Sequence, residues 1–393
     1  MLLPMSGPAT ITPVELSDEE RSLQELCREF AAKEIAPHAA TWWHEERCPT
    51  EVLREMGKLD LLGLLVPREY GGTEVSTRGM VAALLEVARV DQSVAAAWQA
   101  HLTIGTLPLL EFATEEQRER WVVPLASGEK LGSFGLTEPE AGSDVAGIKT
   151  RATRRDGGWE INGSKVFISN AATDMSLGPV VLARTGEPDS ASRSFGTFLV
   201  PLGTEGFTHG PKLRGIGWHS LDSRELNFDR VELGDDHLIG DPAAGMRQFL
   251  SVLDVGRITI ATLGIALTEA VLEMSLAYAK ERNQFGQPIS KFQAIQFKLA
   301  DIAAQLEAVR LLVYHTAALR DAGRPFAREG AMAKLLAARL AVAAASEAVQ
   351  IHGGYGYMYE YPVSRFYCDA KVLEIGEGTN EIQQMVIARH LGC

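Results

Sequence analysis

Cysteine is scarce in this chain. Only four occur in 393 residues, Cys27, Cys48, Cys368 and Cys393, with no CxxC pair and no His/Cys cluster. That scatter excludes a disulfide framework, leaves no expected metal site, and fits a reducing, cytoplasmic compartment. Positive charge is also in deficit, with 38 Lys and Arg against 51 Asp and Glu and a formal net charge of −13. Neither nucleic acid nor an anionic membrane is therefore an expected partner, because both demand clustered cations. A small polyanionic ligand stays open, since it needs only a few well-placed ones. Long hydrophobic runs are missing too: Ile258 to Leu267 is the longest, short of the roughly 20 residues that span a bilayer. Met1 to Glu20 has no basic segment followed by an apolar one and no Arg-rich amphipathic stretch, so neither a signal nor a transit peptide is expected. No internal repeat or low-complexity tract is evident.

What is present is an ordinary globular composition, 46% hydrophobic and 23% charged, at a length that suggests two or three domains. The first third reads as helix. Ser17 and Glu20 form a capping box, after which Leu23, Leu26, Cys27, Phe30 and Ile35 recur at helical spacing up to Pro37. Thr50 to Leu62 and Met80 to His101 continue in that style, and Thr114 with Gln117 marks another helix start. From Leu131 the pattern changes. Asp156-Gly157 and Asn162-Gly163 are hairpin-type turn pairs, and Val180 to Ala183, Thr197 to Leu202 and Glu225 to Leu233 are short strand-like runs. Beyond Gly240 the helical period returns in Ile258 to Lys280, Phe292 to Asp321 and Arg328 to His352, which are Ala- and Leu-rich and imply a bundle. The expected fold is α+β and mostly helical. It has an N-terminal helical domain (1–130), a middle antiparallel β-barrel or sandwich (131–240) and a C-terminal four-helix bundle (241–393).

Four segments break this local grammar, and such breaks are where function is expected. Leu136-Thr137-Glu138-Pro139-Glu140-Ala141-Gly142-Ser143-Asp144 joins the helical and β parts; its hydroxyls and free N–H groups suit a flat heteroaromatic ring or a phosphate. Val166-Phe167-Ile168-Ser169-Asn170 is a strand ending in an aromatic and a hydroxyl. Arg282-Asn283-Gln284-Phe285-Gly286-Gln287-Pro288-Ile289, with Phe292 and Gln293 beyond it, interrupts two long helices, and Arg282 could pair with phosphate oxygens. Last come Gln350-Ile351-His352-Gly353-Gly354-Tyr355-Gly356-Tyr357 and Ile375-Gly376-Glu377-Gly378-Thr379-Asn380-Glu381-Ile382-Gln383. In the latter, a carboxylate between two glycines is poorly buttressed for a structural ion pair and free to swing towards a substrate. Read singly, each also fits an ordinary loop.

Together and in this order, the four resemble the acyl-CoA dehydrogenases over essentially the whole chain, Leu16 to Leu391. The resemblance implies FAD as cofactor, an acyl-CoA thioester as substrate, its α,β-dehydrogenation to the trans-2-enoyl form, and transfer of electrons to an electron-transferring flavoprotein. An α-proton of a thioester is too weakly acidic for an ordinary carboxylate in water, so the base must be desolvated. By this resemblance Glu377 is the catalytic base. A minority of the family carries its base on a helix just before an Arg, and that place is taken here by Gly256, ahead of Arg257. The backbone N–H of Glu377 would polarise the thioester carbonyl.

The same resemblance assigns Thr137 and Ser169 to hydrogen bonds with the isoalloxazine, Phe167 to its face and Ser143 to the pyrophosphate. Arg282, Phe285, Gln293, Gln350 and Gly353 would reach the FAD of a neighbouring subunit, which implies a homotetramer, and Thr379 and Glu381 belong to the same nucleotide end. Asp254 and Arg257 fall on the substrate side, with Arg257 as the cation for a polyanionic tail. Gly376 stands where many straight-chain enzymes have Tyr, which opens space near the reacting carbons. Trp98, on the helix expected to floor the acyl pocket, would shorten it, so a short or branched acyl group is expected. The motifs would serve equally a dehydrogenase of a carrier-protein-bound acyl group; a helical scaffold without catalysis is the non-enzymatic alternative.

Overall fold

The computed structural model describes residues 15–186 and 194–393. Residues 1–14, with most of the Met1 to Glu20 stretch in which no leader was expected, lie outside that range. The first helix, α1 (Asp18–Phe30), begins at the expected capping box: Ser17 Oγ accepts the Glu20 N–H at 3.1 Å and Glu20 Oε2 accepts the Ser17 N–H at 2.7 Å. It runs into one π turn at Ala31–Ile35. Then follow α2 (Ala39–His44), α3 (Thr50–Lys58), α4 (Thr77–Ala88), α5 (Gln92–Ala100), α6 (Leu107–Phe112) and α7 (Glu115–Ala126), the last capped by the Thr114/Gln117 box. The stretch Met80 to His101 is thus two helices, because Asp91 caps a new one by accepting the Val94 N–H at 2.9 Å. A second π turn, His101–Gly105, follows α5 directly.

The middle segment forms one eight-stranded sheet. Its strands are β1 (Leu131–Gly135), β2 (Arg151–Arg155), β3 (Gly158–Ser169), β4 (Ser176–Arg184), β5 (Phe195–Leu199), β6 (Phe207–His209), β7 (Ser223–Gly234) and β8 (Leu238–Ile239). Their order is β6-β7-β3-β2-β4-β5-β8, with β1 beside β4. Two local expectations need correction. The sheet is not purely antiparallel: β1 pairs with β4 in parallel, as does Arg151 of β2 with Arg184. Asn162-Gly163 is no hairpin turn but a bulge inside β3, where the register to β7 shifts. Gly163 has φ +146°, and Asn162 Oδ1 accepts the N–H of Arg230, itself at φ +52°. Asp156-Gly157 does turn β2 into β3.

The C-terminal segment is a helical bundle of α8 (Gly245–Glu281), α9 (Gln293–Asp321) and α10 (Ala327–His352), with α12 (Asn380–Leu391) against α10 and the short α11 (Pro362–Ala370) between. A two-strand hairpin, β9 (Asn283–Gln284) and β10 (Gln287–Pro288), links α8 to α9. The helix α8 is long and apolar enough to cross a membrane by length and composition, but its apolar window is largely buried inside the protein. It is the shared spine: Ile258, Leu263 and Leu267 of α8 enter one core with Met80, Leu84 and Trp98 of the first segment and Val313, Ala337 and Ala341 of the last. A second core joins β1, β5 and α7 to the start of α8, and a third lies within the sheet. The chain is α+β and mostly helical, in the order helices, sheet, helices.

Candidate active site

Glu377 sits on the turn between α11 and α12 with φ +53°, followed by Gly378 at φ +94°. Left-handed backbone at a non-glycine residue costs free energy and persists only where neighbours fix it. Here they do. The Gly378 carbonyl accepts from Lys334 Nζ at 2.7 Å and from Gln383 Nε2 at 2.8 Å, and Thr379 caps α12 by accepting the Ile382 N–H at 3.3 Å. The turn aims the carboxylate at α8, where Gly256 supplies a notch: a Cβ there would lie 1.8 Å from Glu377 Oε2. Oε1 accepts from Gln99 Nε2 of α5 at 3.0 Å, and the Gln99 amide is oriented by the Thr259 hydroxyl, which donates to its oxygen at 2.8 Å. Oε2 is buried with no hydrogen-bond partner among the described residues. Burial pushes the carboxyl up to about 7, opposed by the Gln99 hydrogen bond and by the charges of Lys334 and Arg257. A carboxylate poised near neutrality, with one oxygen tethered and the other unpaired, is equipped to take a proton.

The same helix α5 reaches the middle segment. Asn170, one residue past β3, donates Nδ2 to the Ala97 carbonyl at 2.9 Å. At the end of β3, Phe167 adopts φ +63° with 68% of its surface exposed, and Ser169 is the last strand residue. Thr137 lies alongside, its carbonyl accepting the Val166 N–H at 2.9 Å. A buried ion pair anchors that loop: Lys165 Nζ donates to Glu138 Oε1 at 2.8 Å and to the Leu136 carbonyl at 3.0 Å. Ser143 is exposed further along it. Helix α5 thereby touches both the end of β3, through Asn170, and the base, through Gln99.

A second group lies apart, with no described contact to Glu377. Arg282, at the end of α8, places its guanidinium 5.7 Å from the centre of the Tyr355 ring, and both line a cavity of 620 Å³ with Gln284, His352, Gly353 and Gly354. Phe285 tips the β9–β10 hairpin, 93% exposed, and packs edge-on against Phe292. Gln293 opens α9, and Gln350 is exposed near the end of α10. Glu381 is exposed in the first turn of α12.

These features fit FAD. An exposed aromatic flanked by hydroxyl residues, a guanidinium over an open cavity, and Gly353 and Gly354 with no atom within 4 Å of a Cβ position together match the flat ring and diphosphate of a dinucleotide.

Two assignments need correction. Trp98 does not floor an acyl pocket: its side chain is 0% exposed in the shared core and its indole N–H donates to the Leu61 carbonyl at 2.9 Å. One residue along a helix turns the side chain by about 100°, so Gln99 faces the site instead. Arg257 is no open cation for a polyanionic tail. It is 6% exposed and ion-paired with Asp254, and its charge lies near Glu377. At Gly376 a Cβ would meet the Val372 carbonyl oxygen at 3.5 Å, an ordinary contact. Sequence reasoning missed Gln99 and Lys334, and gave Gln383, the last residue of the Glu377 segment, no role of its own. Of the two missed, Lys334 carries a signal, a lone charge among Gly330, Ala331, Ala333, Leu335, Ala337 and Ala338.

Comparison with known proteins bears on the same site. Family models of the N-terminal, middle and C-terminal domains of acyl-CoA dehydrogenase match residues 17–129, 133–231 and 243–392. The chain is similar to a probable acyl-CoA dehydrogenase of Bacillus subtilis (strain 168), 45% identical over 96% of this chain and 99% of that one. It superimposes on the butyryl-CoA dehydrogenase of Megasphaera elsdenii with a TM-score of 0.93 at 38% identity, covering 97% and 100% of the two chains. A chain of the electron transferring flavoprotein structure from Acidaminococcus fermentans also gives 0.93, at 35% identity over 96% and 98%. Motifs, fold and matches over all three segments agree: this chain belongs to the acyl-CoA dehydrogenases, the FAD-dependent oxidoreductases of acyl-CoA thioesters.

Proposed function

We propose that the protein removes the α-proton of a short acyl-CoA thioester with Glu377, giving the trans-2-enoyl product. The observation that carries this reading is Glu377 Oε2, a buried oxygen without a partner among the described residues on a base held near neutrality. Gln99 holds Oε1, so Oε2 is the proton acceptor. The N–H of Glu377 makes no hydrogen bond to the backbone among the described residues and is available to the thioester carbonyl. FAD, when bound, supplies the hydride acceptor for the β-carbon. Thr137, Ser169 and Phe167 would hold its ring and Ser143 its pyrophosphate. Arg282, Phe285, Gln293, Gln350 and Gly353 would hold the nucleotide end from a second subunit, and the 93% exposed Phe285 supports an assembly, a homotetramer on this reading.

Similarity to the butyryl-CoA enzyme supports a short acyl group, with the lack of a side chain at Gly376 leaving room for branching. The Acidaminococcus likeness supports an electron-transferring flavoprotein as acceptor. The four free cysteines support a cytoplasmic location. Glu377→Gln keeps the shape and removes the base. It is expected to retain FAD and lose about 10³-fold or more in turnover with butyryl-CoA; near-normal turnover would overturn the assignment.

A further inference from the structure

Lys334 has no role in the chemistry above, yet it is the fully buried cation behind the base. It lies on α10 with 0% exposure among alanines and a glycine, and its one hydrogen bond among the described residues goes to the Gly378 carbonyl, 2.7 Å away. A buried ammonium using one of its three donors is costly to keep charged, and burial pulls Lys334 down to about 8. What opposes that loss is foremost the charge of Glu377, then Glu374 and Glu381.

We propose that Lys334 is a positioning residue for the reaction: it pins the Gly378 carbonyl so that Glu377 stays in its left-handed turn, and its charge keeps the carboxylate in the proton-accepting form. The proposal rests on Glu377 being the base. The groups facing that carboxylate are few. Gln99 comes from α5 and is neutral. Arg257 comes from α8 but is paired with Asp254. Glu374, paired with Lys371, and the exposed Glu381 of α12 act on Lys334 rather than on Glu377. Gln383 also holds the Gly378 carbonyl, without charge. Lys334 is therefore the cation whose field falls on Glu377 undivided by an ion pair among the described residues.

The test compares Lys334→Gln, which keeps a donor and drops the charge, with Lys334→Met, which drops both. The pH dependence of kcat/KM is measured with butyryl-CoA and a dye acceptor, alongside FAD absorbance and Tm. A cation favours the ionised carboxylate, so its removal moves the acid limb upwards by about one pH unit in both variants. Above that limb Lys334→Gln returns to within about threefold of the parent, whereas Lys334→Met stays down by about tenfold or more because the turn is loose. An acid limb unmoved in Lys334→Gln overturns the charge role, and equal high-pH rates in the two variants overturn the pinning role. A merely structural lysine would lower Tm and rate equally at every pH. If Lys334→Met does not purify with FAD, the acid limb of Lys334→Gln alone decides. Failure of the base reading is told apart by Glu377→Gln, which would then turn over normally.

Discussion

Gly256→Ala probes whether the base must rest in the notch of α8. The new Cβ would stand 1.8 Å from Glu377 Oε2, 3.0 Å from Cδ and 3.4 Å from the Ile104 Cγ2 atom. Ordinary carbon contacts need about 3.5 Å, so the carboxylate must retreat by roughly 1.5 Å. That movement breaks the 3.0 Å bond from Gln99. Loss of a hydrogen bond to a charged group costs about 1.5–3 kcal/mol. Ala in place of Gly in a helix interior returns about 1 kcal/mol. The net destabilisation is about 1 kcal/mol, only a few degrees in Tm for a chain this long. Misplacement of a reacting group by about 1 Å, in contrast, costs about 100-fold in rate. The expected variant is folded, yellow and nearly as stable as the parent, with kcat down about 100-fold in stopped-flow flavin bleaching with butyryl-CoA. A folded variant with kcat within about threefold of the parent would refute the claim that catalysis needs the carboxylate against Gly256.

Two further outcomes follow from the buried charges. A carboxyl raised from 4.5 to about 7 in the folded state contributes stability that is fully present below pH 4.5 and lost as pH rises through 7. Glu377→Gln should therefore melt higher than the parent at pH 8, by the equivalent of about 3 kcal/mol, with the gap closing near pH 5; equal melting at both would sink the burial argument. Lys165→Met strands Glu138, still holding the N–H of Thr150 at 3.0 Å, without its cation. It should cost about 3 kcal/mol in urea unfolding, largely restored by adding Glu138→Gln; a double variant no more stable than the single one would refute the pair.

Much of the fold lies in local patterns. The Ser17/Glu20 and Thr114/Gln117 boxes are complete within four residues, and the switch from helical period to turn-punctuated strands at Leu131 needs no distant partner. Pairing of β1 with β4 is invisible locally because its partners, such as Leu131 and Ser176, lie far apart in the sequence. Asn162-Gly163 misleads because a hairpin turn and a bulge draw on the same left-handed freedom. At the site, motif residues such as Glu377 stand out because they break their surroundings. Gln99 does not: it is one polar residue on an Ala-rich helix, and only the phase of α5 separates it from Trp98. Arg257 misleads in the opposite sense, since a charge next to the site reads as a ligand for charge until its partner Asp254 is seen.

The backbone at Glu377 has a further consequence. At φ +53°, between two glycines and with its Oε2 buried and unpartnered among the described residues, position 377 is one where a search for stability alone would choose glycine. Stabilising this enzyme by substitution at 377 would therefore succeed in the melting assay and remove the group that takes the proton. Screens that rank variants of this chain by heat resistance should be expected to select against its own chemistry at that residue.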